Sequence, residues 1–223
     1  IGEIVDAAES VPRYVIMANP GTTIMTKAAY EAMDSIGYGT EWDLKGFLDG
    51  PVRMEEGEYA KLPLPVLGIY TEYKLETDDV FTCAIGTPSK RKDMIDTVVK
   101  NGGEFVNVIH KTAIVQGSAK LGTGIVLCPF TYVNDNAVVG DYVMINTMSG
   151  LGHDVQLGAY SCLMGHVELC GYVKVGTEVY FGGGARVLPN GKVGDGAFVG
   201  SGGIVLKKVK AGTKVFGNPA VEI

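Results

Sequence analysis

From Val115 onward, every sixth residue is apolar. The series runs Val115, Leu121, Leu127, Val133, Val139, Ile145, Leu151, Leu157, Leu163, Leu169, Val175, Phe181, Val187, Val193, Val199 and Val205 without a slip. Four residues after each stands a mostly small or β-branched residue, from Ala119, Ile125 and Thr131 to Gly203 and Val209. A fixed short period is the mark of a repeat architecture. A second period lies within it: Gly122, Gly140, Gly158, Gly176 and Gly194 recur at every third hexapeptide. The pattern predicts a three-sided coil with one short strand per side, each strand pointing an apolar residue inward. Glycine falls at one corner, where a positive φ or a close approach costs it little. Coils of this kind stack about 4.8 Å apart with parallel pairing, which makes the prism roughly 25 Å tall.

The first half has a different pattern. Tyr14–Ala18, Trp42–Leu48 and Val80–Ile85 read as strands, and Phe105–Ile109 as a fourth strand leading into His110. Pro63–Gly68 reads as a loop with a short extended piece. Asn19–Thr23 reads as a turn. Ile24–Ile36 has helical spacing and is closed by Gly37, and Lys90–Asn101 reads as a second helix. Strands alternating with helices imply a parallel sheet. The boundary falls near residue 109, and residues 1–12 read as an extension. Ligands of such sheets bind beyond the carboxyl ends of the strands, here Ala18–Gly21, Asp49 and Ile85-Gly86. Asp49 reads either as an acceptor for a ribose or base, or as a turn aspartate.

Composition narrows the function. Of 223 residues, 46% are hydrophobic and 20% charged, which suits a packed core. The net charge of −6 argues against nonspecific binding to nucleic acid or anionic lipid. No run of apolar residues is long enough for a membrane helix, and no signal peptide is recognisable, so a cytoplasmic protein is expected. Cys83, Cys128, Cys162 and Cys170 form no CxxC pair and read as reduced thiols. The three histidines are too scattered for a metal cluster, so none is expected. There is no GxGxxG, hence no support for a dinucleotide cofactor.

Chemistry on a β-helix must come from outward residues near its corners. Asn146, His153, Asp154, Cys162 and His166 are the polar candidates. By the repeat spacing, His153, Gly171, Pro189 and Lys207 share one edge, and Asp154, Tyr172, Asn190 and Lys208 the next. That edge reads as a track for an extended ligand, with the reactive end by His153 and phosphates by the lysines. An exposed imidazole beside a carboxylate suits a general base, and a solvent-facing corner histidine is the alternative. His166 lacks an adjacent acid and reads as structural or as part of an acceptor pocket. Cys162 has no histidine placed to activate it.

The chain resembles the PglD/NeuD-like bacterial sugar O-/N-acetyltransferases. The resemblance rests on Gly46-Phe47-Leu48-Asp49, Ala84-Ile85-Gly86, Val108-Ile109-His110, Ile145-Asn146-Thr147, Gly152-His153-Asp154, Val187-Leu188-Pro189-Asn190 and Gly217-Asn218-Pro219-Ala220. It implies a Rossmann-like α/β unit over residues 13–108 that binds a nucleotide sugar. It also implies a left-handed parallel β-helix over residues 109–223 that binds acetyl-CoA. The family implies a homotrimer with active sites between neighbouring prisms. Carried over residue by residue, His153 resembles the catalytic base and Asp154 its carboxylate partner. Asn146 resembles an acceptor-sugar residue. Gly171 and Ser201 resemble the residues whose backbone meets the cofactor, and Asn218 lies in the segment near its nucleotide end. Asp49 and Gly86 resemble the positions that hold a uridine. The implied reaction is direct transfer of acetyl from acetyl-CoA to the amine of a UDP-type 4-amino sugar. Acetylation of a sugar hydroxyl or a non-nucleotide acceptor is the alternative, and a noncatalytic trimeric scaffold is the alternative of another class. Two positions depart from the family. The turn after the first strand keeps only Gly21 of a glycine-rich loop, and Cys162 stands where some members carry a second histidine.

Overall fold

The structure, a computed structural model, describes residues 13–17, 43–50 and 65–223. The extension at 1–12, the turn at Asn19–Thr23 and the helix expected over Ile24–Ile36 with its Gly37 cap lie outside the described residues.

The front of the chain forms a sheet of five parallel strands: β1 (Arg13–Met17), β2 (Asp43–Asp49), β3 (Val66–Ile69), β4 (Asp79–Cys83) and β5 (Glu104–Phe105), in the order β3-β2-β1-β4-β5. Helix α1 (Pro88–Lys100) follows β4. Pro88 is pre-set for a first helical turn, and Asn101 ends the helix with its N–H on the Thr97 and Val98 carbonyls. Met94, Ile95 and Val98 on one face of α1 pack on Leu48, Phe81, Cys83 and Phe105. At the opposite end of the sheet from the Asp49 and Cys83 termini, Lys45 bridges Glu76 and Asp79 at 2.9 and 2.8 Å.

The single strand expected over 105–109 is two strands. Glu104–Phe105 extends the front sheet, and Val106 N–H still bonds the Phe81 carbonyl. Two residues later β6 (Val108–Ile109) pairs with Val126–Leu127 in the prism. Asn107 makes the changeover: its Oδ1 accepts Ile125 N–H at 2.9 Å and its Nδ2 donates to the Gly122 carbonyl.

Beyond that point the chain is a β-solenoid. Wall one holds Val108–Ile109, Val126–Leu127, Met144–Ile145, Cys162–Leu163, Tyr180–Phe181, Phe198–Val199 and Lys214–Phe216, and ends on an antiparallel strand, Val221–Glu222. Wall two runs from Ile114–Val115 through Gly150–Leu151 to Ile204–Val205, and wall three from Lys120–Leu121 through Gln156–Leu157 to Lys208–Val209. Both apolar series point inward and build one core, from Ile125 to Val215, with Val115, Ala119 and Leu121 packed against its first coil. The polar members of the inward set are satisfied. Ser149 Oγ donates to the Met164 carbonyl and accepts Val167 N–H, and Ser161 does the same with Gly176 and Val179.

The corners work differently from the expectation. The spaced glycines do not adopt positive φ. They allow close approach: a Cβ at Gly158 would sit 2.3 Å from the Gly176 carbonyl oxygen. Positive φ falls elsewhere, at each corner residue from Gly124 to Gly202, and ten of these are not glycine: Phe130, Asn136, Tyr142, Met148, Asp154, Tyr160, His166, Tyr172, Glu178 and Asn190. Such a conformation costs an L-residue about 1–2 kcal/mol. Each corner gains an inter-coil bond in return, as when Tyr172 N–H meets the His153 carbonyl and Asn190 N–H the Gly171 carbonyl.

The lysine track does not form. The inward residues Val205 and Val209 are four apart, so the last coil lacks a full corner between walls two and three. Lys208 pairs with Lys192 on wall three, and the Lys207 carbonyl accepts Lys192 N–H. The edge that carries His153 and Gly171 therefore ends at Pro189-Asn190.

The front sheet lies against wall one. Arg91 Nε donates to the Tyr142 carbonyl, Tyr160 Oη donates to Asp96 at 2.7 Å, and Phe105 meets Tyr142 edge-on at 5.6 Å.

Candidate active site

His153 and Asp154 occupy the corner between walls two and three, which we call the second ridge. Asp154 takes the left-handed corner conformation, φ 58°. From there its Oδ2 accepts the His153 Nδ1–H at 2.8 Å. In the neutral ring, a carboxylate on Nδ1 selects the tautomer that keeps the proton there and leaves the lone pair on Nε2. The ring is 52% exposed, so solvent-borne ligands reach it. Tyr172 contacts it edge-on with centroids 4.8 Å apart. Gly171 lies directly against the imidazole edge: a Cβ there would stand 2.6 Å from Nε2. Bare backbone thus keeps open the space beside the basic nitrogen.

The amides of the corners fall into two sets. Some are capped by side chains: Thr147 N–H by Asn146 Oδ1 at 2.7 Å, Thr123 N–H by Asp141, and Thr177 N–H by Asp195. Others, including those of Gly171 and Ser201, donate no hydrogen bond among the described residues. These are donors ready for a ligand oxygen.

The sequence-predicted residues separate into three groups. His153, Asp154 and Gly171 share the second ridge. Asn146 and Ser201 stand on the first ridge, between walls one and two, and the tail with Asn218 returns beside its upper end, where Ile204 N–H bonds the Gly217 carbonyl. Asp49 and Gly86 belong to the carboxyl-end side of the front sheet. Asp49 is buried and accepts Gly50 N–H. The neighbouring Ile85 carbonyl touches Cys162 Sγ at 3.9 Å, so this end faces wall one. His166 is exposed on the first ridge, one coil above Asn146.

Three of the four cysteines, Cys83, Cys128 and Cys162, are sealed, and Cys170 is partly exposed. Cys162 is wholly buried, and burial pushes its thiol up to about 12, against a small opposing pull from Arg91. Burial likewise lifts Cys128 to about 11. Neither can supply a thiolate near neutrality. His110 is also buried, and its Nδ1 accepts Thr112 N–H at 3.1 Å. Among the described residues no three His, Cys, Asp or Glu side chains converge as a metal site, and no helix is long and apolar enough to cross a membrane.

Comparison with known proteins decides the family. The GDP-perosamine N-acetyltransferase of Escherichia coli O157:H7 is 32% identical over 148 residues, 64% of this chain and 67% of that protein. The chain belongs to the hexapeptide-repeat bacterial sugar acetyltransferases. No protein-family profile matches it. Among solved structures, PerB from Caulobacter crescentus, in complex with CoA and GDP-perosamine, superposes with a TM-score of 0.81 at 28% identity, covering 97% of this chain and 100% of that one. The acetyltransferase domain of PglB from Neisseria gonorrhoeae FA1090 superposes with a TM-score of 0.82 at 25% identity, covering 95% and 100%. Membership in this family makes the chain an acetyltransferase. Sequence reading missed one buried group beside the carboxyl end of the front sheet, Arg91. It sits on the apolar face of α1, four and seven residues before Ile95 and Val98, and that spacing was its signal.

Proposed function

We propose that this chain transfers acetyl from acetyl-CoA to the amine of a nucleoside-diphosphate-linked 4-amino sugar in the cytoplasm. His153 acts as general base and Asp154 fixes its tautomer. The observation that carries the reading is the second ridge, with an exposed Nε2 facing bare glycine backbone and its other nitrogen held by a carboxylate. His153 Nε2 takes the amine proton as nitrogen attacks the thioester carbonyl. The amide of Gly171, or that of Ser201 on a neighbouring copy, steadies the oxyanion. The thiolate leaves, takes that proton back from His153 and departs as free CoA, with no acyl-enzyme. A base of this kind contributes about 10²–10⁴ in rate, and holding both substrates in reacting geometry adds the larger share.

Within one prism, wall two stands between His153 and the first-ridge residues Asn146 and Ser201. A homotrimer in which the second ridge of one protomer meets the first ridge of the next unites them, and it draws the sugar from the front sheet along the first ridge. In this reading residues 13–108 form a Rossmann-like acceptor unit, and 109–223 a left-handed catalytic prism. The family resemblance implies a uridine nucleotide, and the GDP-perosamine held by PerB adds a guanosine form.

The test is a panel of UDP- and GDP-linked 4-amino sugars with acetyl-CoA, followed by release of free thiol. His153→Ala lowers kcat about 10²–10⁴-fold while CoA still binds. Full turnover by that variant overturns the base assignment.

A further inference from the structure

We infer that Arg91 is a positioning residue that sets the acceptor-nucleotide pocket and ties it to the prism. The inference rests on the nucleotide-sugar reading above. The sheet order β3-β2-β1-β4-β5 reverses direction between β1 and β4, and open parallel sheets bind ligands at the carboxyl ends where this happens. The β4 side of that crevice is the turn from Cys83 to Pro88. Arg91, in the first turn of α1, is wholly buried behind it. Its Nη1 donates to the Cys83 carbonyl at 2.5 Å and to the Ile85 carbonyl at 3.2 Å, and its Nε donates to the Tyr142 carbonyl of the prism at 2.6 Å. Among the described residues, Nη2 is buried without a partner and no carboxylate pairs with the guanidinium.

Burying an unpaired guanidinium is costly, and a methionine would fill the same volume without that cost. Geometry gives the group a use. In a trans peptide the N–H points away from the preceding carbonyl. Drawing the Ile85 carbonyl toward Arg91 therefore turns Gly86 N–H to the opposite face of the turn. That amide makes no hydrogen bond among the described residues, although Gly86 is buried. The adjoining start of α1 supports the same role: Thr87 gives no side-chain cap, and the first turn holds no acid. An uncapped helix start favours an electronegative ligand. Arg91 thus presents donors to the base or diphosphate of the acceptor and fixes how far that acceptor lies from wall one.

The experiment compares Arg91→Lys and Arg91→Met with the unaltered protein, measuring KM separately for each substrate. Lysine has its donors on a single nitrogen and lacks the rigid fork by which Nη1 meets the Cys83 and Ile85 carbonyls and Nε the Tyr142 carbonyl. KM for the nucleotide sugar should rise about tenfold or more, while KM for acetyl-CoA stays within about twofold. A structural role alone would lower the melting temperature and leave the two KM values unchanged, or move them together, and either result overturns the inference. Hydrogen–deuterium exchange on the unaltered protein needs no variant to fold. Saturating GDP or UDP should protect the peptide covering residues 83–91. Nucleotide binding without that protection overturns the role of Arg91 alone. Failure of every nucleotide and nucleotide sugar to bind overturns the acceptor reading as well.

Discussion

Gly171→Ala isolates the chemistry of the second ridge from its stability. The added methyl would lie 2.6 Å from His153 Nε2, 2.8 Å from Cε1 and 3.2 Å from Cδ2. Relief to 3.4 Å, where ordinary contact begins, displaces the ring edge by about 0.8 Å. The ring is half-exposed and swings outward easily, but its Nδ1 bond to Asp154 and its contact with Tyr172 are then strained or lost. A misplacement near 1 Å costs about 10²-fold in rate, or about 2.7 kcal/mol of transition-state stabilisation. Folding should hardly notice. Gly171 does not occupy the left-handed region, and replacing such a glycine stabilises by about 0.4–1 kcal/mol through the unfolded chain. The assay is kcat/KM by thiol release beside a thermal melt. The expected result is about a hundredfold loss of kcat/KM with a melting temperature raised by no more than about 4 °C. A variant with unaltered kcat/KM would show that Nε2 does not work from the position the structure gives it.

The opposite behaviour is expected at the glycine corner. Gly158→Ala drives a methyl into backbone of the next coil, so it should destabilise by about 2–3 kcal/mol and lower the melting temperature by roughly 4–12 °C; an unchanged melt refutes the close-approach role. Asp79 should give the front sheet an acid-sensitive step. Burial raises its carboxyl, but hydrogen bonds from Lys45, the Glu76 amide and Tyr73 outweigh that and hold it below its ordinary value. Its stabilisation is therefore present above the ordinary value of 3.8 and is lost as pH falls through the lower folded one. Denaturation midpoints across that range should fall for the natural protein, and Asp79→Asn should remove this component. Thiol reagents at about pH 8 should label Cys170 in the folded protein and reach Cys83, Cys128 and Cys162 only after unfolding. Rapid labelling of Cys162 without loss of structure would contradict its sealed position.

The inward residues of the prism were legible because a buried position tolerates little but apolar side chains, and the six-residue step repeats that demand. The corners were less so. Tyr142, Glu178 and His166 in left-handed geometry run against local preference, and only the inter-coil amide bonds make them tenable. Lys207 and Lys208 were misplaced for a related reason. Both the first and the fifth residue of a hexapeptide face inward, so Val209 fits the series whether the coil is whole or shortened, and only the pairing of Lys208 with Lys192 decides. His153, Asp154 and Gly171 fell together as their spacing required, since one turn of the coil returns the chain to the same edge. The spacing to Ile95 and Val98 marked Arg91 as on the buried face, but the run Lys90-Arg91-Lys92 has the composition of a solvated surface and masked it. Its burial arises from contact with Tyr142, far along the chain, and no local pattern records that contact.

The shortened last coil also governs how the column stops. An open end of stacked parallel strands is a template on which another molecule could continue the ladder, and long unprotected edges of this sort seed fibres. Here the chain doubles back. Val221–Glu222 runs antiparallel beside Lys214–Phe216, and Ala220 N–H seals the Ile204 carbonyl on wall two. Wall three finishes on Lys208, charged and exposed above Lys192 and Lys174. The fold-back of residues 214–222 thus covers strand edges that would otherwise favour end-to-end polymerisation, and removing it would expose two adhesive edges at once.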